Sequence, residues 1–196
     1  MKSIFKITVL CCLSVLFVSC FGDKKTAIGT DFNDTSFVNK SFKNNKVNFS
    51  NLNNSCQFVS KNQIAKLYNV TEDKVQIIGN ELSKSCTIRV LISDNNFDFL
   101  TGAISFYKTP DKLDDGSTWV DSWQLKKGLS KSSVWIKNMG KAALYNAKKR
   151  TLFIKFNNYT MELIAPGSDF NQIEKAKKRD YKTIALTLAK NTPLLN

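Results

Sequence analysis

Enzymatic chemistry needs groups that attack, carry protons or hold metal, and the most informative such group is missing: the chain contains no histidine. That excludes Ser-His-Asp and Cys-His catalysis, histidine-ligated zinc and imidazole pH switching. What remains needs convergent carboxylates, a desolvated lysine or a metal held by oxygens. Asp111, Asp114 and Asp115 crowd one turn, and Asp94 and Asp98 flank another. A calcium-binding EF-hand loop alternates Asp/Asn ligands ahead of a glycine and ends on a glutamate. Asp111-Lys112-Leu113-Asp114-Asp115-Gly116 lacks that alternation, so it reads as a solvated turn. No separated acid pair of the glycosidase kind stands out. The sequence predicts a non-enzyme: no catalytic residue, no metal, no cofactor.

The first twenty residues follow a different logic. Lys2 and Lys6 precede twelve apolar residues, Ile7 to Val18, then small Ser19 and Cys20. A run of twelve is too short to cross roughly 30 Å of hydrocarbon as a helix, and the order of charge, apolar run and small residue is that of a targeting segment. Phe17-Val18-Ser19-Cys20 resembles the lipobox of bacterial lipoproteins, which commonly reads Leu, a small or aliphatic residue, Gly/Ala/Ser, then Cys. Phe17 departs from the usual leucine, with Leu16 one position earlier. An ordinary secretory signal and an uncleaved anchor are the alternatives. The resemblance implies a signal peptide over residues 1–19 and a lipid on Cys20. Several acyl chains, at about 0.8 kcal/mol per buried methylene, hold a protein on a bilayer effectively permanently. Phe21, rather than Asp, after the cysteine implies the outer membrane by the sorting pattern of enteric bacteria.

Of five cysteines, Cys11 and Cys12 lie in the apolar run and Cys20 is the lipidation site. Cys56 and Cys86 remain. Export into an oxidising compartment predicts a disulfide between them, worth roughly 3–4 kcal/mol for a loop of about thirty residues. A redox pair or metal site is the weaker alternative, since neither C-x-x-C nor a companion ligand is present.

Charge supplies the next candidates. Loss of Lys2 and Lys6 from 29 basic residues leaves 27 against 16 acidic ones. The excess gathers at Lys126-Lys127, at Lys148-Lys149-Arg150, and at Lys175, Lys177, Lys178, Arg179 and Lys182. Three readings stand side by side: plain solvated faces, a site for a protein partner with an acidic surface, or a patch lying on an anionic membrane at about 1 kcal/mol per basic residue. Nucleic acid is not expected, because an exported, tethered protein seldom meets it and no interleaved aromatic-basic motif is present. Trp119, Trp123 and Trp135 either line an apolar groove or simply pack a core, the first two sharing a helix face at i and i+4.

These residues must be positioned by a fold. Residues 20–47, rich in Lys, Asn, Ser and Thr, read as a flexible tether on which Phe32, Phe37 and Phe42 offer docking points. The globular domain is expected over 48–196. Ser60 and Gln63 have capping-box spacing ahead of a helix over 61–69. Strands follow at 75–78, 86–92 and 97–108, with Asn95-Asn96 turning between the last two. A helix over 118–129 precedes strands at 142–146, 151–156 and 159–165, with Asn157-Asn158 as a hairpin turn. One last helix, capped by Ser168 or Asp169, carries an apolar stripe from Ile173 to Ala189.

The order Cys56-x-x-Val59-Ser60-Lys61-x-x-Ile64-Ala65, then Cys86, then Met139-Gly140-Lys141-Ala142-Ala143-Leu144-Tyr145, resembles small secreted bacterial lipoproteins of uncharacterised function. In those a Gly-x-Ala-Ala turn commonly precedes a hairpin and a C-terminal helix closes the domain. The resemblance brings no catalytic residues. The expected architecture is α+β: an antiparallel sheet of about five or six strands packed against two or three helices, with one disulfide. The expected function is a membrane-anchored lipoprotein of the cell envelope that binds another macromolecule, an immunity or inhibitor protein being one form. A carrier of a lipid or small apolar ligand is the alternative.

Overall fold

A computed structural model describes residues 30–43, 47–52, 54–80, 82–94 and 98–195. Cys20, the expected signal segment and the expected Asn95-Asn96 turn therefore lie outside the described residues. Helix α1 (Lys61–Tyr68) begins where Ser60 accepts a hydrogen bond from the Gln63 amide, and it ends at Asn69, which adopts the left-handed conformation. Helix α2 (Trp119–Gly128) opens with a full capping box between Thr118 and Asp121, which satisfies two amides that would otherwise be unpaired.

Seven strands form one antiparallel sheet: β1 (Val75–Asn80), β2 (Ser85–Leu91), β3 (Phe99–Lys108), β4 (Ser133–Ile136), β5 (Ala142–Asn146), β6 (Thr151–Lys155) and β7 (Tyr159–Gly167). Their order across the sheet is β1-β2-β3-β7-β6-β5-β4. Two meanders thus lie side by side, joined where β3 pairs with β7. The sheet has seven strands rather than five or six, because β4, a four-residue edge strand pairing with β5, is too short to declare a period. Among the described residues there are four helices, not two or three. The expected single C-terminal helix is two: α3 (Gln172–Ala176), capped by Asn171, and α4 (Tyr181–Lys190), capped by Asp180.

Alternation along the strands sends the two sets of side chains to opposite faces. One face carries Ile88, Val90, Leu100, Ile104, Leu152, Ile154, Met161 and Leu163, all buried against Ile64 and Tyr68 of α1 and Ile184 and Leu188 of α4. Each such side chain contributes roughly 1.5–3 kcal/mol through burial. On the other face α2 lays Trp119 and Trp123 over Ala142, Leu144 and Phe153. The Cys56–Cys86 disulfide is formed; it ties the turn before α1 to the start of β2.

Residues 30–43 do not behave as a free tether. Asn39 donates from its amide to the Lys141 carbonyl at 2.8 Å and from its side chain to the Gly140 carbonyl. Gln124 donates to the Asp34 carbonyl, and Phe37 and Phe42 pack on the domain as docking points. The folded unit therefore reaches back to Thr30 and not only to residue 48. Gly140, at φ +62°, makes the sharp turn into β5, and a Cβ there would lie 2.6 Å from an Ile154 methyl.

Candidate binding surface at one end of the sheet

The break between α3 and α4 is built around a buried carboxylate. Glu174 is only 1% exposed, and it accepts from Arg179 Nε and from the Tyr181 hydroxyl at 3.2 Å, with Lys177 Nζ 3.8 Å from its second oxygen. The Arg179 guanidinium also lies over the Tyr68 ring at 5.0 Å, and Tyr68 donates to the Pro166 carbonyl at 2.6 Å. Helix continuation would pull Arg179 away from Glu174. Instead Lys178 turns through φ +46°, and Asp180 restarts the chain as α4 by accepting from Thr183. Those hydrogen bonds hold the Asp180 carboxyl below the usual carboxylate range. The consequence is a fixed corner from which Lys175, Lys177, Lys178 and Lys182 point outward, all exposed. Arg179, expected as a fifth member of that patch, instead faces inward and positions the corner.

Beside the corner, Arg150 of the β5–β6 turn bonds Asp169 at 2.6 Å and sits over the Tyr181 ring at 5.5 Å. A Cβ on Gly167 would fall 2.4 Å from Arg150 Nε, so glycine is what lets the guanidinium pass there. Through Arg150 the Lys148-Lys149 turn adjoins the corner. Phe170, in the polar stretch Ser168–Asn171 before α3, is 91% exposed.

The same turn reaches the end of α2 on the sheet's other face. Asn146 donates to the Ser130 and Ser133 hydroxyls and accepts from Ser132 and the Lys149 amide, a latch between residues 130–133 and the β5–β6 turn. Next to it a groove of about 550 Å³ is lined by Tyr107, Lys126, Leu129, Lys148, Lys149, Phe153 and Glu162, among others. Lys126 Nζ stands 3.9 Å above the Phe153 ring and 3.3 Å from the Tyr107 hydroxyl. Burial pushes the Lys126 ammonium down and the Glu162 carboxyl up, and it lifts the Tyr107 phenol to about 12. All three basic clusters thus meet at one end of the sheet, a convergence no local pattern in the sequence announces.

The tryptophans go elsewhere. Trp119 and Trp123 are buried, edge to face with each other at 5.9 Å, and Phe37 stacks on Trp135 at 3.9 Å. Trp119 and Trp123 pack as core, while Trp135 and Phe37 border a surface groove of about 610 Å³ with residues 35–41.

The aspartate turn lies at the opposite end. Lys141 Nζ contacts both Asp111 oxygens at 3.0 Å, and fully buried Lys155 reaches Asp111 at 3.5 Å while donating to the carbonyls of Thr109, Phe156 and Asn157. Burial draws the Lys155 ammonium down to about 8, Asp111 opposing the shift. This lysine ties the 109–118 loop to the β6–β7 turn. Sequence reasoning placed neither it nor Glu174 inside the protein. Among the described residues no group of three or more acidic or cysteine side chains can hold a metal, and no helix is long and apolar enough to cross a membrane. No known protein family, curated protein or solved structure matches the chain.

Proposed function

We propose that the protein is a lipoprotein of the bacterial cell envelope, anchored through Cys20, and that it works as a non-enzymatic binding module for a protein with an acidic surface. The observation that carries the reading is the α3–α4 corner, where Lys175, Lys177, Lys178 and Lys182 are exposed around a buried Glu174–Arg179 pair. Solvated lysines need no such framework. Burying a carboxylate with its partners is costly, and what it secures here is the geometry of four cations. A fixed cationic surface suits recognition and fast, salt-sensitive association with an acidic partner. Phe170 beside it adds an apolar contact of the kind that anchors interfaces.

An apolar-ligand carrier is supported less well. The grooves at this end are bordered by Lys126, Lys148, Lys149 and Glu162, whereas ligand pockets are mostly apolar. The anchored-module reading is tested in two separable parts. Fatty-acid labelling of the wild type and of Cys20→Ala tests the anchor. Capture of partner proteins from native membranes by wild type and by the Lys175→Glu/Lys177→Glu/Lys178→Glu/Lys182→Glu variant tests the corner. Label on Cys20 and a salt-sensitive partner lost on charge reversal support the proposal. An unlabelled Cys20 overturns the anchor, and a partner indifferent to the reversal overturns the corner.

A further inference from the structure

The chain enters its folded part at the end of α2. Thr30 borders one surface groove with Lys127, Gly128, Ser130, Lys131 and Trp135, and Ser130 is shared with the groove formed by Lys126, Leu129, Lys148 and Lys149. Leu129 is 69% exposed amid these lysines. Nine residues separate Cys20 from Thr30, a reach of at most about 35 Å when fully extended. A domain of this size is about 40 Å across. An anchor at Cys20 therefore cannot hold the domain by its far end, and the face nearest the lipid is the one around Leu129.

We infer that this face, comprising Lys126, Lys127, Leu129, Lys131, Lys148 and Lys149, docks on the anionic headgroups of the bilayer that carries the anchor. The lysines supply the charge complementarity, which acts only within about 8–10 Å of the surface at ordinary salt. Leu129 supplies an apolar side chain at their centre. Docking orients the domain: the α3–α4 corner, on the side of the sheet covered by α1 and α4, is left at the border of the docked face and open to a protein partner. The choice of this end rests on the anchored-lipoprotein reading, but the docking itself is measurable without the lipid.

The experiment uses the mature chain carrying Cys20→Ser and sediments it with vesicles of equal parts phosphatidylglycerol and phosphatidylcholine, or of phosphatidylcholine alone. Binding is expected only to the anionic vesicles, weakening as salt rises. Lys131→Glu/Lys148→Glu/Lys149→Glu lowers it by at least about tenfold, whereas Lys175→Glu/Lys177→Glu/Lys182→Glu, with the same change in net charge, lowers it less than about threefold. Leu129→Asp, a single exposed substitution that leaves the core intact, also weakens it. Near-ultraviolet circular dichroism of the buried tryptophans verifies that each variant is folded. Absence of binding to anionic vesicles, or equal loss from both triple reversals, overturns the inference. A Cys20 without fatty acid would remove the anchor while leaving the vesicle result standing, so the two failures are distinguishable.

Discussion

Arg179 reaches back five residues to Glu174, and that bond sets both where α3 ends and how the exposed lysines around it are displayed. Glu174 is fully buried at its side chain and Arg179 nearly so, while Lys177, the other cation on this carboxylate, is 43% exposed. The two contacts therefore differ in kind. Removing Arg179 strands a buried charge; removing Lys177 exposes little that water cannot compensate.

Arg179→Ala is accordingly expected to cost about 3–5 kcal/mol, the range for breaking a buried ion pair from one side. Lys177→Ala should cost less than about 1 kcal/mol, as exposed pairs do. Denaturant unfolding of the two variants separates them, and equal losses would show that the corner is not built on Arg179.

The disulfide gives a second expectation. Cys56 and Cys86 close a loop with a sequence separation of 30, so Cys56→Ser/Cys86→Ser should lower stability by roughly 3–4 kcal/mol, chiefly by freeing the unfolded chain. The fold should persist with its near-ultraviolet spectrum intact. A loss well under 1 kcal/mol would mean that the reduced unfolded chain is already restricted.

Phe37 tests where the folded unit begins. Its ring stacks on Trp135 and meets Trp119 edge-on at 6.1 Å. Phe37→Ala should cost about 1–3 kcal/mol, less than a fully buried Phe, and should move Trp135 fluorescence to longer wavelength. Amides of residues 35–39 should lose protection from hydrogen exchange before those of β5. Unchanged fluorescence would show that the strap does not cover Trp135 in solution.

Lys155 sets a pH dependence whose sign can be worked out. Its ammonium is drawn from the ordinary 10.5 down to about 8 in the fold, so between those values the unfolded chain holds more protons and stability rises with pH. Lys126 is shifted in the same direction. Above about pH 10 the phenols of Tyr107 and Tyr181, pushed up to about 12 by burial, reverse the trend, because the unfolded chain then loses its protons first. Lys155→Met should flatten the rise. An unaltered slope in that variant would assign the effect to other groups.

How much of this was legible beforehand follows the range of the forces. Alternating Leu152, Ile154 and Phe156, then Tyr159, Met161 and Leu163, flank Asn157-Asn158, and the hairpin is where that pattern puts it. Helix α1 and its Ser60 cap are equally local. The disulfide was legible because Cys56 and Cys86 are the two cysteines left once the N-terminal apolar run and Cys20 are set aside. What stayed hidden depends on partners distant in sequence: Asn39 on Gly140, Phe37 on Trp135, Lys155 beneath the 109–111 loop. The helix break was hidden differently. Ile173 and Ala176, then Tyr181 and Ile184, keep a near-helical spacing across the charged run Lys177-Lys178-Arg179-Asp180, and only the burial of Glu174 shows why Lys178 must turn. The basic clusters were visible as composition, but their meeting at one end depends on Arg150 lying against Tyr181 and on Asn146 holding Ser130.

On the proposed function, the α3–α4 corner receives an acidic protein while Cys20 holds the domain at the membrane. The most direct test replaces exposed Phe170 with p-benzoylphenylalanine, which keeps every lysine in place, and irradiates the protein in its native membranes. One covalent adduct of defined mass with an acidic envelope protein is expected, lost when Lys175, Lys177, Lys178 and Lys182 are changed to Glu and kept when Lys131, Lys148 and Lys149 are. No adduct, or one whose yield ignores the corner's charge, would contradict it.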